Sequence, residues 1–430
     1  MRTTRYFAAL ISLCSVLALG ASAHGAGFGI NEHSAGPMGM AGAVTGIANT
    51  PAAGFFNPAG LATQTGLGLE AGMTFIAPTA SYTGMVPGTS TETDVAAVDN
   101  YFYIPNFHAS YRIHDRVAAG LSVYVPYGLT MEWPTTVDVG GVETAWWGRG
   151  IIQKISLETV FINPNVAVKL HDRIYIGGGV SIVKGAVTLN RPVTMSNQIA
   201  DDVDLELSGE DWAVGGTAGV LVKVLPDLLN VGVAFRSGVS FTFSGDAAFT
   251  KDGSADNIPT GLRARLTDGK AEADLNLPHV VSFGVGAFPI EPLTLGFAFD
   301  VITWSSYDKL AIRFPDNPEL STSEPKEWRN TIAIRVGGEY RVMPNLPVRL
   351  GFIFDQGPPP PATVGPELPD GDRYEFTVGG GYMFKGFRVD VAYQYLFTGD
   401  IKPSDSAPLQ GTYHSTGHLA GVTLGYNLDI

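Results

Sequence analysis

His414 and His418 stand four residues apart, the spacing that brings two imidazoles together on a helix to hold zinc. The segment lacks the glutamate of an HExxH site and reads as a loop running into a strand. The glycine triplets at 177–179 and 379–381 lie inside strand-like runs, not at the strand-to-helix turn that a phosphate-cradling loop requires. No GxSxG occurs. The sequence therefore offers no catalytic residue, no metal site and no cofactor site. A second set is more regular. Arg236, Asp300, Arg335, Glu339, Arg349, Asp355, Arg373, Glu375, Arg388 and Asp390 interleave in sign and share one phase of their segments. Such side chains can build a ladder of ion pairs, while Arg236 is the first candidate to meet a carboxylate. Lys184 and Arg191 are the alternative cations.

The elements that carry these residues alternate with period two. In 387–397, Phe387, Val389, Val391, Tyr393, Tyr395 and Phe397 face one side, and Arg388, Asp390 and Gln394 the other. Segment 418–430 puts Ala420, Val422, Leu424, Tyr426, Leu428 and Ile430 on one face. Runs of about ten such residues with large apolar side chains on one face are the mark of transmembrane β-strands. Strand starts fall near 67, 101, 116, 155, 173, 211, 228, 275, 291, 328, 346, 373, 386 and 416, which makes fourteen. Short links such as "IHDR" and "MPNLP" alternate with long ones rich in Gly, Pro, Asp and Ser. Short periplasmic turns and long outer loops produce that rhythm. A soluble β-sandwich would not carry so apolar an outer face. In this register Val391 faces lipid, and Ala392 is the better place for an arginine if there is space.

Charged residues make up 16% of the chain, well below the roughly 25% of soluble domains, and there are 53 glycines and 16 tyrosines. Arg2 and Arg5, the apolar run "YFAALISLCSVLALG" and "ASA" at 21–23 form an export signal, cleaved after Ala23 or Gly25. Cys14, the single cysteine, lies in that run, so the mature chain has neither disulfide nor thiolate site. Losing both arginines takes the formal charge from −14 to −16, a poor balance for binding nucleic acid. With export and no later run of about 18 apolar residues, the outer membrane of a Gram-negative bacterium is the expected destination. The reading is all-β: residues 1–25 as signal peptide, 26–65 as an N-terminal plug and 66–430 as a 14-stranded antiparallel barrel. Residues after the signal up to 65 carry only one charge, Glu32, and fold best into the lumen.

Three prolines, Pro105, Pro126 and Pro164, interrupt strand-like runs, and proline cannot donate to a ladder. The apolar phase switches across Pro105 and across Pro164, which predicts a bulge at each.

Together the run "AGFGINEHSAGPMGMAGA", "NPA" at 57–59 and the segments 235–247 and 352–384 resemble the FadL/TodX family of outer-membrane transporters for long-chain fatty acids and aromatic hydrocarbons. "AGFGINEHSAGPMGMAGA" is similar to the family's N-terminal hatch, and "NPA" at 57–59 to the hatch's tripeptide. "FRSGVSFTFSGDA" at 235–247 and "FIFDQGPPPPATVGPELPDGDRYEFTVGGGYMF" at 352–384 resemble two barrel segments. The resemblance implies a fourteen-stranded barrel closed by the hatch and passive uptake of a hydrophobic molecule. It implies a lumen pocket near the hatch N-terminus, with Phe28, Ile30, Arg236, Lys184 and Arg191 as candidates. It also implies sideways release at a kink in the third strand, where Gly120, Ser122 and Pro126 are candidates. Phe55, Phe56, Asn57, Pro58 and Ala59 would stand beside that kink, so a cysteine at Ala59 should reach strand three. Trp133, Trp146 and Trp147 are candidates for an outer hydrophobic surface. Expected partners are the hydrophobic cargo and outer-membrane lipids, with a monomeric chain. The rival functions are a porin for polar solutes and an outer-membrane lipid-modifying enzyme.

Overall fold

The computed structural model describes residues 27–193, 203–251 and 265–428. Residues 1–26, which include the expected signal segment and Cys14, and residues 194–202, 252–264, 429 and 430 lie outside the described residues. Fourteen antiparallel strands form the wall. They are β1 (Leu67–Met85), β2 (Phe102–His114), β3 (Val117–Tyr124, resuming as Gly128–Glu132), β4 (Lys154–His171) and β5 (Ile174–Val193). Next come β6 (Val203–Leu225), β7 (Leu229–Arg236 and Ser240–Lys251), β8 (Gly269–Asn276 and Val280–Ile290) and β9 (Leu293–Ile302 and Lys309–Arg313). The last are β10 (Thr322–Pro325 and Thr331–Met343), β11 (Leu346–Asp355), β12 (Arg373–Phe384), β13 (Phe387–Thr398) and β14 (Thr412–Leu428). Each strand pairs with its sequence neighbours, and β1 pairs with β14 from Leu67↔Leu428 to Thr83↔Thr412, so no edge is left open at the seam. Several strands run well past the hydrocarbon band; β6 has 23 residues where about ten suffice to span it.

The alternation decides which face meets lipid. Val389, Val391, Tyr393, Val422 and Leu424 are exposed, while Asp390, Gln394 and Thr423 between them are buried inside. A cationic side chain on the lipid face near the midplane costs about 2–4 kcal/mol. Val391→Arg is therefore expected to lower barrel stability by about that amount, read from urea unfolding of the reconstituted barrel. From the sequence, Ala392→Arg is the better tolerated change only if space allows. Ala392 is buried and packs in a cluster with Ile30, Met38 and Leu396 that leaves no room for a guanidinium.

The bulges expected at Pro105 and Pro164 are absent. β1 and β2 keep one register through Met73↔Pro105, and β3 and β4 keep theirs through Leu121↔Pro164. The inward faces do not switch; their chemistry does. On β2, Phe102 and Ile104 are buried toward the outer end, and Asn106, His108 and Ser110 toward the periplasmic end. β4 does the same, with Leu157 and Phe161 followed by Asn163 and Asn165. The lumen is apolar in its outer half and polar in its inner half, which imitates a change of face in the sequence.

Two short helices, α1 (Ala35–Gly39) and α2 (Ala53–Phe56), and a 3₁₀ turn (Pro58–Thr63) break up the N-terminal segment. Nearly all of residues 27–62 are buried. The segment's backbone lies directly on glycines of the wall. A Cβ on Gly296 would meet the Ala43 carbonyl oxygen at 2.0 Å, and one on Gly337 the Met40 carbonyl oxygen at 2.2 Å. Gly296 and Gly337 are register partners, as are Gly337 and Gly351 and, further round, Gly232 and Gly284. One level of the wall thus lacks side chains where the segment crosses it.

Candidate functional site

The Asn57-Pro58-Ala59 turn is built locally. Asn57 accepts from the Ala59 amide at 3.2 Å, and Pro58 opens the 3₁₀ turn without a wasted donor. The same side chain donates to the Thr45 carbonyl at 2.9 Å and to the Val220 carbonyl of β6 at 3.1 Å. Pro58 and Ala59 abut Gly177 of β5. The tripeptide therefore sits against β5 and β6, not beside the interruption of β3. The segment reaches β3 through other residues: Gly54 lies on Ser122, and Leu61 on Gly120. Gly120 and Ser122 are themselves in unbroken ladder with β2 and β4.

The break falls at Val125–Tyr127. Tyr124 pairs with Phe161 and Gly128 with Glu158, so three residues of β3 stand against two of β4. On the other side the β2–β3 ladder ends at Phe107↔Val123, and Phe102–Asn106 pair only with β1. Pro126, and Pro105 across from it, withhold the donors that would extend pairing. The wall closes again farther out, where the Val98 amide donates to the Glu132 carbonyl at 2.8 Å. Between these limits the N-terminal segment fills in from inside. Ile30 donates to the Pro126 carbonyl at 2.8 Å, Gly128 donates to the Phe28 carbonyl at 3.0 Å, and Gly29 bridges Tyr127.

Phe28 projects into an aromatic cage. Its ring centre is 4.7 Å from Trp304, 5.6 Å from Trp328, 5.9 Å from Tyr307 and 6.3 Å from Tyr127. Ile30 points away into a separate cluster with Met38, Phe102 and Ile104. Beside Phe28, a void of about 20 Å³ is bordered by Gly29, Pro126, Tyr127, Arg236, Asp300 and Trp304. Arg236 lies 4.0 Å above the Phe55 ring and donates to the Phe55 carbonyl at 3.3 Å. Among the described residues no carboxylate lies within 4.0 Å of it. Phe55 stacks edge-on with Phe56 at 4.8 Å, and Phe56 borders a larger cavity of about 260 Å³ toward the short turns.

The other cations are elsewhere. Lys184 shares the outward phase of Ile182 and pairs with Glu210 at 2.9 Å, so it faces away from the lumen. Arg191 faces Glu324 at 3.7 Å near the outer end. Trp133 and Trp146 stack at 4.8 Å and are buried, with the Trp133 indole donating to Pro366; Trp147 packs near Tyr82. They form the core of an outer cap, not an open surface. A shallow apolar hollow of about 50 Å³ lies instead among Ile155, Leu189, Leu207, Phe243 and Ile312.

Arg335 pairs with Asp300 at 2.9 Å, Arg349 with Glu339 and Asp390 at 2.7 Å each, and Arg388 with Glu70 at 3.1 Å. The segment hangs on this polar wall. Arg335 also donates to the Ala41 carbonyl, Thr377 to the Gly39 carbonyl and Gln394 to Glu32. At its start the Gly27 amide donates to Asp370 at 2.6 Å, and Asp370 pairs with Arg373. Burial pushes the Asp370 carboxyl up by more than the neighbouring Arg373 lowers it. Sequence reasoning missed this anchor and the Trp304–Tyr307–Trp328 cage. Aspartate in "PDGDR" and aromatics in a long loop carry no spacing that marks them, although the loop's two tryptophans were visible.

A family model described as outer membrane protein transport protein (OMPP1/FadL/TodX) matches residues 16–428. The chain belongs to the OMPP1/FadL/TodX family. Members of that family are outer-membrane transporters of hydrophobic small molecules, not enzymes, and the protein resides in the outer membrane. Among OMPP1/FadL/TodX relatives, it is 23% identical over 445 residues to the 47 kDa outer membrane protein of Pasteurella multocida, covering 99% of this chain and 100% of that one. It is 27% identical over 420 residues to a Neisseria meningitidis protein named for the outer membrane, covering 88% of each. Its fold is similar to that of a Pseudomonas aeruginosa FadL homologue, with a TM-score of 0.81, 23% identity, and 93% and 99% of the two chains covered. For the Ralstonia pickettii toluene transporter TbuX the TM-score is 0.69 at 18% identity, again covering 93% and 99%.

Proposed function

We propose that this protein takes up long-chain hydrophobic molecules passively, holds them beside Arg236 in the Phe28 cage, and releases them sideways between β2 and β3. The observation that carries the reading is the break at Val125–Tyr127, where Phe28–Ile30 complete the wall from inside. One short stretch thus fills the pocket and shuts the side opening together. A cargo that displaces Phe28 from the aromatic cage pulls on the Gly29–Tyr127 bridge and uncovers the gap. Each buried methylene contributes about 0.8 kcal/mol, enough for a chain of several carbons to replace one phenyl ring. Arg236, without a carboxylate partner among the described residues, favours a fatty acid over a plain hydrocarbon. The remainder of segment 27–62 acts as the plug, and one chain closing its own barrel supports a monomer surrounded by outer-membrane lipid.

The test is twofold. Mass spectrometry of the purified barrel is expected to find a co-purifying fatty acid, and planar bilayers to show only small conductance. A steady large conductance with no bound hydrophobe would favour the porin for polar solutes.

A further inference from the structure

Just inside the opening, several buried polar atoms have no use in what has been described. Asn106 and His108 project from the inner face of β2, at the level where its ladder with β3 ends. Both side-chain atoms of the Asn106 amide and Nε2 of His108 lack a hydrogen-bond partner among the described residues. Nδ1 of His108 is held by the Ser122 hydroxyl at 3.0 Å, which fixes the ring and leaves Nε2 free. His33, on the N-terminal segment, is fully buried and makes no well-formed hydrogen bond from either ring nitrogen, lying only loosely against the Ile30 backbone. Its ring packs on Phe55 at 4.5 Å and Tyr124 at 5.7 Å, and His108 stacks on Tyr124 at 6.4 Å. The Tyr124 hydroxyl also has no well-formed partner, with Ser181 only loosely near.

Buried polar groups in native folds are ordinarily paired, so a cluster of unpaired ones at a single place points to an absent partner. The neighbouring Asn163, Asn165, Thr217 and Ser181 bond one another. Among the described residues, unpaired buried atoms also occur on Arg236, Thr331, Tyr413 and Ser415, but Asn106, His108, His33 and Tyr124 gather at the lip of the side opening, and none of these four carries a full charge of fixed sign. They offer both donors and acceptors, which suits a hydroxyl or carboxyl oxygen better than a bare ion.

We propose that Asn106, His108 and His33 form a second, uncharged docking point that hydrogen-bonds the oxygen-bearing end of an amphiphilic chain as it leaves through the β2–β3 opening. The idea rests on the lateral route above and adds a consequence for selectivity. A chain ending in oxygen gains these bonds at the lip, and one ending in hydrogen or halogen leaves them unpaired. The cargo class is therefore an alcohol or acid, not a pure hydrocarbon.

Titrating the detergent-solubilised full-length protein with 12-bromododecan-1-ol and with 1-bromododecane, while reading tryptophan quenching, compares the two chain ends. The wild type is expected to bind the alcohol about tenfold tighter, the worth of one or two net hydrogen bonds. In Asn106→Leu/His108→Phe the preference is expected to fall below about twofold with bromododecane binding unchanged, and His108→Gln, which keeps a polar end, to retain it. If the double variant does not fold, Asn106→Leu alone is expected to lose about half of the preference on a logarithmic scale. A preference that survives these apolar substitutions, or no preference in the wild type because an ordered water satisfies the cluster, overturns the docking point and leaves uptake intact. Quenching by neither probe in the wild type overturns the uptake reading and this one with it.

Discussion

Removing residues 27–62 is expected to leave a folded barrel whose ion conductance rises on the order of tenfold, as a packed lumen becomes water-filled. The seam of the barrel does not need the segment to close. β1 and β14 pair over their full shared length, and the ion pairs Arg335–Asp300, Arg349–Asp390 and Arg388–Glu70 run from wall to wall. What is lost are the segment's bonds to the wall, among them Arg335 to Ala41, Thr377 to Gly39, Gln394 to Glu32, Gly27 to Asp370 and Asn57 to Val220. Because Gly296, Gly337 and Gly351 have no side chains, nothing on the wall grows into the vacated level. Single-channel recording on a deletion that keeps heat-modifiable migration checks the expectation. If such a barrel conducts no better than the intact protein, segment 27–62 is not the obstruction.

Cross-linking the segment to β3 is expected to stop uptake without unfolding anything. Gly29 and Tyr127 face each other, and the flanking bonds Ile30 to Pro126 and Gly128 to Phe28 make them a non-hydrogen-bonded antiparallel pair. Such pairs place Cα atoms about 4.5 Å apart, inside the range a disulfide can span. The mature chain contains no competing cysteine once residues 1–25 are removed. Gly29→Cys/Tyr127→Cys should therefore oxidise readily, cut uptake of a radiolabelled fatty acid by roughly tenfold or more, and recover on reduction. The same bridge from Ala59 is not available, since Ala59 lies on Gly177 of β5. Quantitative oxidation with uptake at the wild-type rate would refute release through the β3 break and direct attention to the cavity below Phe56.

Much of the architecture was set by the sequence alone, because period-two alternation with an apolar outer face has few physical solutions. It placed eleven of the fourteen strand starts within four residues and those of β6, β8 and β10 six to eight residues late, and it gave most of the inward and outward phases and the charged ladder, since a lipid-facing charge is too costly to leave in doubt. The composition of residues 26–65 carries the expectation of a plug in the lumen. Tertiary structure decided everything that depends on which inward residues share a level. Only the fold shows that Phe102 and Leu157 remain inside, because the outer lumen is apolar and no face switches. It alone sets Asn57 against β6, makes Lys184 an outward ion pair and buries Trp133 under a loop. It selects Pro126 over Gly120 as the break, because a missing donor ends a ladder whereas a glycine inside one does not. The pairing of Gly29 with Tyr127, nearly a hundred residues apart, leaves no periodic trace in either segment. Long-range pairing of that kind is fixed by the closure of the barrel, and the closure by fourteen registers acting together.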